Sequence, residues 1–148
     1  MKYNTEIDIN LPLDKVVTLF DNPDHLKKWQ PTLLSFSMIS GELGQPGSKV
    51  KLVYKRGKKG RLTMIETLIK HDLPEELLAT YEAPGVLNHQ KNTFIDLGNG
   101  KTRWQSVTEF KFSGTMKVVA FLLGKKGFQK ETMKFHQLFK DFAESNPE

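Results

Sequence analysis

The stretch VLNHQKNTFIDLGNGKTRWQSVTEFKF, residues 86–112, decides how this chain folds. Two alternating segments flank the turn chemistry Gly98-Asn99-Gly100, which predicts a β-hairpin. In the second segment Trp104, Ser106, Thr108, Phe110 and Phe112 alternate with Arg103, Gln105, Val107, Glu109 and Lys111, so the even positions turn inward. The first segment has two possible registers. A two-residue Asn99-Gly100 turn sends His89, Lys91 and Ile95 inward. A three-residue loop with Gly100 as a left-handed bulge residue sends Asn88, Gln90, Asn92 and Phe94 inward. Burying an ammonium group is far costlier than burying an amide, so the bulged register is expected, with Phe94 beside Trp104.

That register creates a problem for a dry core. Each unsatisfied amide costs about 1–3 kcal/mol, a large share of a small domain's stability. Asn88, Gln90 and Asn92 must therefore meet water, each other or a bound molecule. The economical solution is a cavity, since small-molecule sites are concave, mostly apolar and equipped with a few convergent polar groups.

Upstream, YNTEIDINL (residues 3–11) alternates as a strand with Ile7, Ile9 and Leu11 on one face. Leu13 to Phe20 then reads as a short helix and Asp24 to Trp29 as a second, separated by Asn22-Pro23 and stopped by Pro31. Strands follow at Leu33–Ile39, Ser48–Arg56, Arg61–His71 and Glu76–Ala83, separated by GELGQPG, GKKG, DLPE and APG. A two-residue turn at Lys58-Lys59 would place Leu52 opposite Ile65 and Val50 opposite Thr67, with Lys51 across from Glu66 on the solvent side. Val50, Leu52, Tyr54, Thr63, Ile65 and Thr67 are then expected inside. Beyond Thr115 the period changes: Phe128, Thr132, Phe135, Phe139 and Phe142, with Leu138, form the apolar stripe of a long helix, irregular around Gly124–Gly127.

The expected architecture is α+β: a curved antiparallel sheet of about seven strands, two short helices after the first strand, and a long C-terminal helix covering one sheet face. No internal repeat or low-complexity linker divides residues 1–148, so one domain is expected. Composition is that of a globular protein, 38% hydrophobic and 26% charged. The net charge of +5 is dispersed, with KRGKKGR (residues 55–61) read as a solvated turn and GKKG (residues 124–127) as a solvated helix break, so no nucleic acid is expected as partner. The N-terminus does not read as a secretory signal and cysteine is absent, which points to the cytoplasm.

This order of elements, with particular residues in place, resembles the START-related SRPBCC superfamily, the helix-grip fold. The matching stretches are LPLDKVVTLFDNPDHLKKWQP with Trp29 and Pro31, ISGELGQPGSKV with Gly41, Gly44 and Gly47, the GNGKTRW hairpin, and the closing FHQLFKDFAE. The resemblance implies a sheet gripping the last helix around a hydrophobic cavity. It fixes the container and not its contents, because the superfamily resembles lipid carriers, hormone receptors, polyketide aromatase/cyclases and co-chaperone-like domains alike.

GELGQPGSK has spaced glycines and a lysine, but a strand follows where a phosphate loop needs a helix. His25, His71, His89 and His136 lie on separate elements without ligand spacing, so no metal is expected, and no cofactor either. No nucleophile elbow occurs, and catalytic residues stay unassigned, although Tyr54 and Tyr81 are acid–base candidates.

The resulting expectation is binding or transport of a lipid-like or aromatic molecule. Leu52, Ile65, Phe94, Trp104 and Phe110 supply apolar contact; Tyr54, Gln90, Asn92 and Thr108 orient the polar end; Asn88, Ser106 and Thr67 complete the site. The alternatives are a cyclase or dehydratase using the same cavity, and a protein-interaction module using the outer surface. Met116, Val119, Ala120 and Leu123, before the glycine break at Gly124–Gly127, are a candidate gate, and VVAFLL (residues 118–123) beside GKKG is a candidate transient membrane contact.

Overall fold

The computed structural model describes residues 1–145. Strand β1 (Lys2–Ile9) is followed by helix α1 (Leu13–Phe20), a 3-10 turn (Pro23–His25) and helix α2 (Leu26–Trp29). Strands β2 (Leu33–Ser40), β3 (Lys49–Arg56), β4 (Gly60–Asp72), β5 (Glu76–Ala83), β6 (Val86–Gly98) and β7 (Lys101–Phe112) then lead to α3 (Met116–Ser145). The strands form one antiparallel sheet in the order β1-β7-β6-β5-β4-β3-β2, with α3 packed across its inner face. This is the α+β helix-grip architecture expected from the sequence.

Local chemistry explains the small helices. Val16 and Leu19 recur at helical spacing and are buried, while the Asn22 side-chain oxygen accepts the Asp24 N–H at 3.0 Å and starts the 3-10 turn before Pro23. Trp29, on α2, closes the core formed by Ile9, Val16, Phe94, Trp104 and Phe139. Phe20 contacts that aromatic cluster edge-on, 4.9 Å from Phe94 and 5.1 Å from Trp104.

The β6–β7 register agrees with expectation but is built differently. Gly98 pairs with Lys101 around a two-residue Asn99-Gly100 turn, both turn residues having positive φ, 54° and 73°. The extra residue lies in the strand instead, between Asp96 and Gly98, and restores the register that sets Phe94 opposite Trp104.

The β3–β4 hairpin overturns an expectation. Its loop is Gly57-Lys58-Lys59, with Gly57 in the left-handed region, so Arg56 pairs with Gly60 and Leu52 with Met64. A one-residue slip moves every β4 side chain to the other face. Thr63, Ile65 and Thr67 therefore point outward, where Lys49 donates to the Thr67 hydroxyl at 2.8 Å, and Lys51 faces Ile65 instead of Glu66. Met64, Glu66 and Leu68 point inward. The apolar content, Leu62, Met64 and Leu68 against Ile65 and Ile69, leaned this way; the attractive Lys51–Glu66 pairing concealed it.

On α3 the buried stripe also differs. His136, Phe139 and Ala143 are buried, whereas Phe135 and Leu138 are 37% and 36% exposed. A histidine takes the place that aromatic periodicity assigned to Phe135. Gly124, at φ 72° and ψ 169°, breaks the helix where irregularity was expected.

Candidate ligand cavity

Between the sheet, the small helices and α3 lies a cavity of about 520 Å³, within the size range of small-molecule sites. Its walls are largely apolar, with Leu26, Trp29, Val50, Leu52, Leu68 and Phe128 among them. Asp21, Leu43, Glu131 and Phe135 line it while remaining exposed, and so mark where it meets solvent. His71 ties two parts of that rim together: Nδ1 is 2.9 Å from the Gly44 carbonyl and Nε2 is 2.9 Å from the Asp21 carboxylate. A shift between Leu68 and Lys70 leaves Ile69 unpaired and brings His71 onto the inner face.

The cavity has two polar ends with different chemistry. At the β7 end Asn92 is 7% exposed, and its Oδ1 accepts Trp104 Nε1–H at 2.9 Å and the Ser106 hydroxyl at 2.5 Å. The indole stacks against Phe94 and meets the His136 ring edge-on at 4.0 Å. His136 Nε2 lies 2.8 Å from the Thr5 hydroxyl, and burial lowers this imidazole's pKa to about 4, so it is neutral at physiological pH. Tyr3 reaches α3 similarly, its hydroxyl 2.7 Å from that of Thr132. These bonds fasten the sheet to the helix.

At the other end Val50, Glu66, Tyr81, Asn88 and Phe110 are successive cross-strand partners on β3 to β7, forming one inward row. Tyr54 donates to Gln30 Oε1 at 2.7 Å, and Gln30 is itself 8% exposed. Burial raises the Glu66 carboxyl above its ordinary pKa, an effect that the Tyr81 hydroxyl partly offsets. Burial, reinforced by Glu66, raises both Tyr81 and Tyr54, which therefore stay protonated. Asn88 Oδ1 is buried and has no protein donor. This end holds hydrogen-bonding capacity that the fold leaves unused.

Not all sequence-predicted site residues reach this space. Leu52, Tyr54, Asn88, Gln90, Asn92, Trp104 and Phe110 line it. Phe94, Ser106 and Thr108 are buried behind it, at 3%, 2% and 0% exposure, and support the lining. Ile65 and Thr67 face away, for the register reason given above. Glu66, Gln30 and His136 were missed. Among the described residues no group of three or more acidic or histidine side chains is placed to hold a metal ion.

The family model described as polyketide cyclase / dehydrase and lipid transport matches residues 1–136. The chain belongs to this family. No curated protein matches the sequence. Among solved structures, the Zhui aromatase/cyclase from Streptomyces sp. R1128 superposes with a TM-score of 0.79 at 11% identity, over 97% of this chain and 93% of that one. Norcoclaurine synthase from Thalictrum flavum, in complex with dopamine and hydroxybenzaldehyde, gives 0.73 at 15% identity, over 100% and 89%. A conserved protein from Geobacillus kaustophilus gives 0.77 at 15%, over 97% and 95%. Identities this low establish the shared fold and leave any ligand to be argued from the cavity.

Proposed function

We propose that this chain binds a small amphipathic molecule, lipid-like or aromatic, in the sheet–helix cavity and serves as its carrier or sensor. The observation that carries this reading is the Glu66–Tyr81–Asn88 row, set in an apolar cavity of about 520 Å³. A buried Asn88 oxygen without a protein donor and a carboxyl held against its preference for water are expensive to maintain for stability alone. A ligand that supplies hydrogen-bond donors offsets both.

Charge narrows the ligand class. Asp21, Glu66 and Glu131 line the cavity, and among the described lining residues there is no lysine or arginine, although the chain carries a net +5. A carboxylate ligand would have no cationic partner there. An amine or hydroxyl group would meet Glu66 and Asn88 directly. The test is displacement of a cavity-bound fluorophore by an alkyl amine, alcohol and carboxylate of equal chain length. Amine and alcohol should compete and carboxylate should not; preference for the carboxylate would overturn the charge assignment. Native mass spectrometry of the purified protein tests occupancy itself.

The cyclase or dehydratase reading has one specific observation in its favour. Glu66 beside the Tyr81 hydroxyl is a carboxyl whose pKa burial raises, next to a phenol, and one tuned acid suffices to assist proton transfer to a positioned carbonyl. Tyr81→Phe or Tyr54→Phe would spare binding and abolish turnover in an enzyme, and would change little in a carrier. A cavity of this size does not favour the third reading, an interaction module with a small interior.

A further inference from the structure

We propose that the first segment of α3, residues 116–123, with the lysines around it, is a docking surface for anionic phospholipid bilayers. Most large apolar side chains of this protein are covered, but here Phe121 is 85% exposed, Leu122 77%, Val118 60%, Leu123 48% and Val119 43%. Within the segment Ala120 alone is fully buried. Exposure on this scale is not an accident of a frayed end, because Met116 and the buried Ala120 tie the segment to the body. Met116 presses on the β5–β6 turn so closely that a Cβ on Gly85 would lie 2.8 Å from Met116 Cγ. Leu123 folds onto Gly127, where an added Cβ would come within 2.5 Å of Leu123 Cγ. Around Met116 and Ala120 the apolar side chains are presented outward on a fixed platform, and Gly124 then turns the chain into the covered part of α3.

Charge selects the occupant. Lys117 lies within the segment and Lys111, Lys125, Lys126 and Lys130 flank it along the chain, with no acidic residue between Glu109 and Glu131. Exposed apolar side chains flanked in the chain by lysine match the interface of an anionic bilayer, where the former enter the acyl boundary and the latter stay at the headgroups. A second copy fits less well. A two-fold contact through this surface would set its lysines against the same lysines. The surface is separate from the cavity row at Glu66, so the inference stands whatever the cavity holds.

Vesicle co-sedimentation of the full chain tests it, using phosphatidylcholine alone and phosphatidylcholine containing about a quarter phosphatidylserine. The protein should pellet with the mixed vesicles, stay in solution with the neutral ones, and be released by high salt. Phe121→Ser with Leu122→Ser should weaken partitioning by about tenfold or more without lowering Tm, since both side chains are already in water. Lys125→Glu with Lys126→Glu should weaken it as well, through charge. Equal behaviour with the two vesicle types, or no loss in the serine variant, would overturn the proposal. So would a wild-type dimer in sedimentation velocity that the serine variant converts to monomer, because a second copy would then be the occupant.

Discussion

The two polar ends of the cavity differ in how far the groups facing the cavity are paired with one another. Around Trp104 the central groups are paired: Asn92 accepts from the indole and Ser106, and His136 Nε2 meets Thr5, while His136 Nδ1 and the Thr108 hydroxyl behind them have no partner. Around Glu66 the groups face open space, with a carboxyl raised by burial and an Asn88 oxygen lacking a donor. A satisfied polar network adds rigidity and specifies one packing, while an unsatisfied one opposes folding and is kept for another reason. The first end should therefore respond to mutation through stability, and the second through binding.

The comparison breaks most visibly at Trp104. Its side chain is 5% exposed at the centre of the aromatic cluster, so Trp104→Ala should destabilise by about 3–5 kcal/mol in urea unfolding. A loss below about 1 kcal/mol would mean that this end is not the structural one.

His136 gives the next largest effect, read as pH dependence. Its folded pKa of about 4 lies below the ordinary 6.5, so the unfolded chain takes up the proton first. The stability held above pH 6.5 is lost as pH falls toward 4, by about 3 kcal/mol at about 1.4 kcal/mol per pH unit. Unfolding of His136→Gln across that window should show a shallower slope than wild type.

Asn92→Leu should cost about 1–3 kcal/mol of stability, because it strands the Trp104 and Ser106 donors. Affinity should fall only as Trp104 loses its position. A loss confined to affinity would move Asn92 to the binding end.

Glu66→Gln sharpens the contrast with the opposite sign. Burial favours the protonated acid, so stability present below pH 4.5 is lost as pH rises through the raised folded pKa. The amide variant should be more stable at neutral pH, by about 0.5–2 kcal/mol, with the gain vanishing in acid. It should also bind amines more weakly.

Two hairpins show how far the site was legible. At β6–β7 the alternatives differed by the burial of Lys91, a penalty large enough to select the register, and the row of Asn88, Gln90 and Asn92 followed. At β3–β4 the two-residue turn at Lys58-Lys59 offered a surface ion pair, whereas the fold uses the three-residue loop Gly57-Lys58-Lys59. The consequence was large: Ile65 and Thr67 took the place of Glu66, the carboxyl at the centre of the polar row. On α3 the aromatic count favoured Phe135, whereas neutral His136, bonded to Thr5, occupies the buried position. In both cases a residue that is charged or polar in isolation is accommodated by neighbours distant in the chain.

What residue order alone settled was periodicity: alternating strands, the stripe of a long helix, and turn residues between them, which are local properties sufficient for the helix-grip architecture. Only the assembled fold decided which polar groups found partners, and hence which end of the cavity is closed and which is open. Hydrogen bonding and desolvation depend on atoms brought together from β1, β4, β5 and α3, and no window of neighbouring residues contains that information.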